Sequence, residues 1–227
     1  MNINSILDKD IEIFNLIVNS PNETKKYWEY ISLKKNKIIC EYGENCDYFY
    51  IIVSGYANIY HTSEKGKTYS QSIYIKGDYI GELEIFTNRP FICGVEAMTD
   101  ISLIRMEKSL FLDWVKNDIK ALYYLMNTLC KNSYELSKKA SDDTLYSLKF
   151  RICDYLIQCK ENEDYYRNYK IFLSKKHLSE KFVVTKRSVN RILKEFSDKG
   201  LIDIESSYIK IKDLNGVISE RESERYL

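Results

Sequence analysis

Glycine and proline are scarce here, eight and two among 227 residues. A chain so poor in both is neither collagen-like nor a linker-rich, disordered polymer. Long hydrophobic runs are missing too. Apolar runs reach six residues, as in Tyr48–Val53, against the roughly 20 that a membrane-spanning helix needs. The first residues, MNINSILDKDIEIF, have neither the basic start nor the apolar core of a signal peptide. The expectation is a cytoplasmic protein with no membrane partner. Two histidines leave little material for histidine-based catalysis or a histidine-rich metal centre, and no metal ligand is assigned. An excess of one charge sign is also lacking. Lys and Arg number 34 against 33 Asp and Glu, a net charge of +1. That excludes a grossly basic or acidic protein but leaves room for a local patch.

What is present suits a globular protein of one or two domains, at about 150 residues per domain. Six cysteines, Cys40, Cys46, Cys93, Cys130, Cys153 and Cys159, read as free thiols in a reducing compartment. The 20 tyrosines reflect genome base composition rather than function.

Three regions follow one another: residues 1–107, 108–140 and 141–227. From about residue 30 to 107 short apolar stretches recur at Lys37–Cys40, Tyr48–Val53, Ala57–Tyr60, Gln71–Tyr74, Gly94–Ala97 and Ile101–Arg105. Turn signals separate them, at Tyr42–Asn45, Ser54–Gly55, Glu64–Gly66 and Lys76–Asp78. Such spacing predicts an all-β barrel or sandwich. The period then changes. Val115, Ile119, Leu122, Met126, Leu129, Ser133 and Leu136 alternate steps of four and three, a heptad seam. Trp114, Tyr123 and Leu125 would let such a helix pack on its own barrel. The seam nevertheless outruns the average helix of about 11–12 residues, which favours dimerisation through Val115, Ile119, Leu122, Met126, Leu129 and Leu136. The third region reads as an amphipathic helix over 145–157, a polar loop over 159–169, helices over about 175–182 and 186–197, and a hairpin of Leu201–Ile204 and Tyr208–Ile211. The fold class is α+β.

The chemistry concentrates between Ser174 and Lys194. Seven Lys or Arg there face one acidic residue, a local excess of six positive charges in a nearly neutral chain. Val189, Ile192, Leu193 and Phe196 make one apolar stripe, and Arg187, Asn190, Arg191 and Lys194 make the opposite one. Thr185 is a plausible N-cap, with Lys186 beginning the helix. A helix entering the DNA major groove needs this division. One face anchors it, while the other offers donors to base edges and phosphates. Arg pairs with guanine, Asn pairs with adenine, and Lys adds sequence-independent affinity. With the short preceding helix, the turn Phe182–Thr185 and the hairpin behind, the pattern predicts a winged helix-turn-helix. Lys175, Thr185, Lys186, Arg187, Ser188, Asn190, Arg191 and Lys194 are the candidate DNA-binding residues.

Two blocks then resemble a known family. Tyr48–Tyr56 with Gly77–Phe86 (GDYIGELEIF) resembles the β-roll effector domain of the cyclic-AMP receptor protein and fumarate–nitrate reduction regulator (Crp/Fnr) family. Leu173–Ile202 resembles its DNA-binding helices, with KRSVNRIL at 186–193 as recognition helix. The resemblance implies a cupin-like, cyclic-nucleotide-binding-type β-roll, a long dimerisation helix and a winged helix-turn-helix. It implies a transcription regulator, a homodimer on a pseudo-palindromic site of double-stranded DNA. It also admits RNA polymerase and a small-molecule effector as partners. Arg191 matches the family arginine that reads guanine. Arg187 stands where members with the best-known operator are acidic, so an operator sequence does not carry over. Val183 stands where glycine is common.

Cyclic-nucleotide members grip the phosphate with an Arg followed by Ser or Thr. Here Gly81 and Glu82 remain, but Phe91 and Ile92 take those two positions. Arg89 lies two residues early, before Pro90, and Ser137 is the one hydroxyl kept where the long helix would meet the base. Gly81, Glu82, Arg89 and Ser137 are the candidate effector residues, for an effector that is not a cyclic nucleotide. An iron–sulfur cluster needs grouped cysteines, and none precedes Cys40. Cys40 and Cys46 hint weakly at redox chemistry across a turn, and His61 alone could offer a haem ligand. No cofactor is assigned. No phosphate loop, nucleophile elbow or metal-hydrolase helix marks an enzyme. The alternative is a ligand-sensing β-roll acting through a protein partner, which the Arg and Asn stripe argues against.

Overall fold

A computed structural model describes Ile17 and residues 22–161, 173–205 and 208–225. The expected loop lies largely outside the described residues, and so do the opening segment and the hairpin tip at 206–207. Two compact units divide within one long helix, residues 1–132 and 133–227.

The first unit is a roll of two four-stranded antiparallel sheets. After a single turn α1 (Asn22–Lys25), the strands are β1 (Glu29–Leu33), β2 (Ile38–Cys40), β3 (Tyr48–Ser54), β4 (Ala57–Thr62), β5 (Thr68–Tyr74), β6 (Tyr79–Ile80), β7 (Gly94–Ala97) and β8 (Ile101–Glu107). One sheet runs β1-β8-β3-β6 and the other β2-β7-β4-β5. Phe49 stands opposite Met106 and Ile51 opposite Ile104 in the β3–β8 register. All four side chains are buried, so this pair of strands carries the centre of the core. Phe49 stacks on Phe111 with ring centroids 4.1 Å apart. Glu82 and Glu84 lie on a short helix, α2 (Glu82–Thr87). Gly81 opens it at φ 102°, and a Cβ there would come within 2.9 Å of the Tyr48 carbonyl oxygen. Only glycine lets α2 close against β3.

Helical periodicity after β8 belongs to two helices, not one: α3 (Lys108–Asn117) and α4 (Ile119–Leu145). Asp118 breaks them with an extended backbone. Its carboxylate accepts the amides of Lys120 and Ala121 at 3.1 Å and the Trp114 indole N–H at 3.2 Å, so the residue caps α4 while it ends α3.

The second unit holds the end of α4, α5 (Leu148–Glu161), α6 (Lys175–Lys181), α7 (Lys186–Asp198), the hairpin β9 (Ile202–Ile204) and β10 (Ile209–Ile211), and α8 (Leu214–Arg225). Cys159, placed in a loop by sequence, is a buried residue of α5. The sequence reading ended the chain in strands and missed α8, whose apolar content is too small to signal itself. An ionic cluster ties α8 to α5. Lys149 on α5 reaches Glu220 at 2.7 Å and Glu195 at 2.8 Å, Lys199 joins both carboxylates, and Arg221 pairs with Asp154 at 3.0 Å.

Candidate nucleic-acid interface

Helix α7 is built to show one face. Val189, Ile192, Leu193 and Phe196 are buried beneath it. Thr185 caps its start, accepting the Ser188 amide at 3.1 Å, an arrangement worth about 1 kcal/mol. On the far side Lys186, Arg187, Asn190, Arg191 and Lys194 are exposed, as is Thr185, and Ser188 is half-buried. At the start of α6, Ser174 caps by accepting the His177 amide at 3.1 Å and Lys175 is exposed. The structure thus brings the whole candidate set to the surface, along α7 and the beginning of α6.

The charges differ in how they are held. Lys149, Lys199 and Arg221 sit in carboxylate cages, and Lys176 approaches Glu180 at 3.8 Å. Lys181 turns away from solvent, its ammonium 4.6 Å from the centre of the Tyr155 ring. Burial, then repulsion by Lys139, pushes its pKa down to about 8. His177 is buried beside it with its ring nitrogen 3.2 Å from the Tyr155 hydroxyl. Burial, with a smaller push from Lys181, lowers its pKa to about 3, so it is a neutral core residue. By contrast, Lys175, Lys186, Arg187, Arg191 and Lys194 have no ion pair among the described residues. Five cations with no counter-ion among the described residues, at the start of α6 and along α7, make a local positive field. Lys210, on β10 of the hairpin, is exposed as well.

Between the helices, Val183 holds φ 56°. A β-branched residue in the left-handed region is an outlier. The Val184 amide donates to the Ser179 carbonyl at 3.1 Å and the Ser179 hydroxyl donates to the Val184 carbonyl at 3.2 Å, so both ends of the turn are tied.

The β-roll candidates are not assembled as the sequence reading expected. Glu82 is 7% exposed. Burial first, then the carboxylates of Glu84 and Asp78, raise its pKa to about 8. Arg89 is exposed rather than turned inward. Asn88 ends α2 in a left-handed cap, the Arg89 amide donates to the Glu84 carbonyl, and Phe91 is pinned to the turn at 43–44 by two backbone hydrogen bonds of 2.9 and 2.8 Å. That route buries Phe91 and leaves Arg89 on the surface. Ser137 is an exposed residue of α4 in the second unit. Cys40 and Cys46 are buried free thiols, whose pKa values burial raises, that of Cys46 to about 12. Protonated buried thiols are poor nucleophiles.

The heptad seam divides between two surroundings. Val115 is 2% exposed and belongs to the β-roll core, which corrects its assignment to a dimer interface. It lies on α3, ahead of the break at Asp118. Leu122 packs partly on the same core, and Leu129 is half-buried. Ile119, Met126 and Leu136 are exposed, joined by Tyr123 and Tyr134, which the sequence reading did not include in the seam.

Comparison with known proteins agrees with this architecture. Residues 30–118 match the cyclic nucleotide-binding domain family, and residues 150–218 match the Crp-like helix-turn-helix domain family. The chain is 22% identical over 175 residues to the CRP-like cAMP-activated global transcriptional regulator of Mycobacterium tuberculosis, covering 75% of this chain and 78% of that one. It is 23% identical over 180 residues to the anaerobic regulatory protein of Bacillus subtilis, covering 77% and 76%. Among solved structures, the c-di-GMP responsive global regulator of Xanthomonas campestris superposes with a TM-score of 0.71 at 12% identity, over 89% of this chain and 99% of that one. A Crp/Fnr family transcriptional regulator of Thermus thermophilus gives 0.63 at 19% identity, over 86% and 100%. A β-roll of the first kind followed by a helix-turn-helix of the second defines a DNA-binding transcription regulator rather than an enzyme. The chain carries both domains and is homologous to the Crp/Fnr regulators.

Proposed function

We propose that this regulator works in the cytoplasm as a homodimer on a pseudo-palindromic operator, each α7 lying in a major groove. Lys175, Lys186 and Lys194 would then contact phosphates, and Arg187, Asn190 and Arg191 base edges. The observation carrying this reading is the exposed cationic face of α7, with no counter-ion among the described residues, opposite its buried apolar stripe. The exposed stripe Ile119, Tyr123 and Met126 on α4 supports self-association, because apolar side chains that large seldom stay in water without a partner. RNA polymerase is a further partner on family grounds alone.

The effector of this chain is not a cyclic nucleotide. A buried phosphate needs a cation and hydrogen-bond donors. Near Glu82 stand Glu84 and Asp78, Phe91 fills the position of the phosphate-binding arginine, and Arg89 faces solvent. Calorimetric titration with cyclic AMP and cyclic GMP tests this; micromolar binding of either would overturn it. A gel shift with genomic fragments tests the DNA reading. Binding should resist nonspecific competitor and weaken with salt. A dimer that retains no fragment would refute it.

A further inference from the structure

Asn190 is a residue the fold has no use for. It lies inside α7, five residues from the cap, where asparagine is a poor helix former compared with alanine. Mid-helix asparagines are often explained by a hydrogen bond to the local backbone. No such bond exists here, and the side chain makes no other hydrogen bond among the described residues. Its amide is exposed on the same face as Arg187 and Arg191.

Being uncharged, Asn190 contributes nothing to the release of counter-ions from DNA. Being short, it does not span from the middle of a groove-bound helix to the flanking phosphates, as lysine and arginine can. What it offers is one donor and one acceptor side by side, the pattern that matches N7 and N6 of adenine in the major groove. Arg187 and Arg191 present only donors and match guanine. The rise of about 1.5 Å per helical residue puts Asn190 less than one base-pair step from Arg191, and about 4.5 Å from Arg187.

Resting on the reading of α7 as the base-reading helix, we infer that Asn190 is a specificity-determining residue that selects an adenine in each half-site, next to the base pair read by Arg191. Arg187 reads on the other side of that adenine. The operator therefore carries an obligatory A·T pair flanked by the two arginine-read positions.

Selection from random duplexes tests this, with the wild type, Asn190→Ala, Asn190→Gln and Arg191→Ala compared in parallel, followed by competition titrations at several salt concentrations. The wild type should select an A·T pair beside the Arg191-dependent position. Asn190→Ala should relax that pair alone, lowering its discrimination by about 5- to 150-fold, with the salt dependence of binding unchanged. Asn190→Gln should restore part of the preference for adenine if an amide is what is read. Asn190→Ala should not impair folding, since alanine is the better helix former. If Arg191→Ala relaxes one position while Asn190→Ala relaxes none, or relaxes a G·C pair, the inference is wrong although α7 still reads DNA. If the wild type selects no sequence at all, the reading of α7 itself fails.

Discussion

Replacing Val183 should make the helix-turn-helix more stable or less stable according to what replaces it, and the sign is informative. Val183 sits at φ 56°, where a residue with a Cβ costs roughly 1–2 kcal/mol relative to the right-handed region. Val183→Ala loses the two γ-methyl groups and keeps the Cβ, while Val183→Gly loses all three carbons, so the difference between them isolates the Cβ. Glycine escapes the left-handed penalty but brings about 0.5–1 kcal/mol of extra freedom to the unfolded chain. The balance favours glycine over alanine by about 0.5–1 kcal/mol. At an ordinary position with negative φ the order would be reversed. Urea unfolding followed by far-ultraviolet circular dichroism is the assay. Indole fluorescence would not report it, because both tryptophans, Trp28 and Trp114, lie in the β-roll unit. With a slope of about 1–3 kcal/mol per molar urea, the glycine variant should unfold a few tenths of a molar later than the alanine variant. Equal midpoints, or alanine ahead, would refute the claim of backbone strain. Operator affinity should hold within about twofold for both, since neither alters the exposed face of α7.

Other consequences follow from the same geometry. Arg191→Ala should cost about 1–3 kcal/mol at one base position and little elsewhere, as read by competition titration; uniform weakening would reassign it to phosphate. Thr185→Ala should lower the stability of the C-terminal unit by about 1 kcal/mol through loss of the α7 cap, measured by urea unfolding. Glu82 should make the β-roll less stable as pH rises. Its folded pKa of about 8 lies above the ordinary carboxyl value, so its contribution is full below about pH 4 and is lost as pH climbs through 8. Glu82→Gln should flatten that decline in indole-monitored unfolding, and identical slopes would contradict the assignment. Met126→Asp should dissociate the proposed dimer with the β-roll folded, whereas Val115→Asp should unfold the roll, because Val115 is a core residue; sedimentation and circular dichroism together separate the two outcomes.

Much of the candidate nucleic-acid interface was legible from residue spacing. The opposed stripes of α7 and the cap at Thr185 are local features of one helix, with period and cap chemistry written in consecutive residues. The strands were legible for a similar reason. Their apolar stretches and turn residues recur at short intervals, and the register of β3 on β8 then places Phe49 and Ile51 in the core. Harder to see was which surroundings a given apolar face would meet. Val115 and Met126 share one heptad pattern, yet Val115 lies in the roll and Met126 at the surface. Periodicity says that a face is apolar but not what covers it. Likewise Arg89 could be counted near the effector loop, but the cap at Asn88 and the pinning of Phe91 send it outward.

The division of α7 into a buried and a charged side, and the kinship with Crp/Fnr regulators, were legible in the order of residues alone, because helix period and short-range motifs are local. Which lysines remain unpaired depended on the folded arrangement. Lys149, Lys181 and Lys186 are alike in sequence. One is caged by Glu195 and Glu220, one is turned onto Tyr155, and one is left in solvent. Those partners lie up to 71 residues away along the chain, and only folding brings their charges within reach.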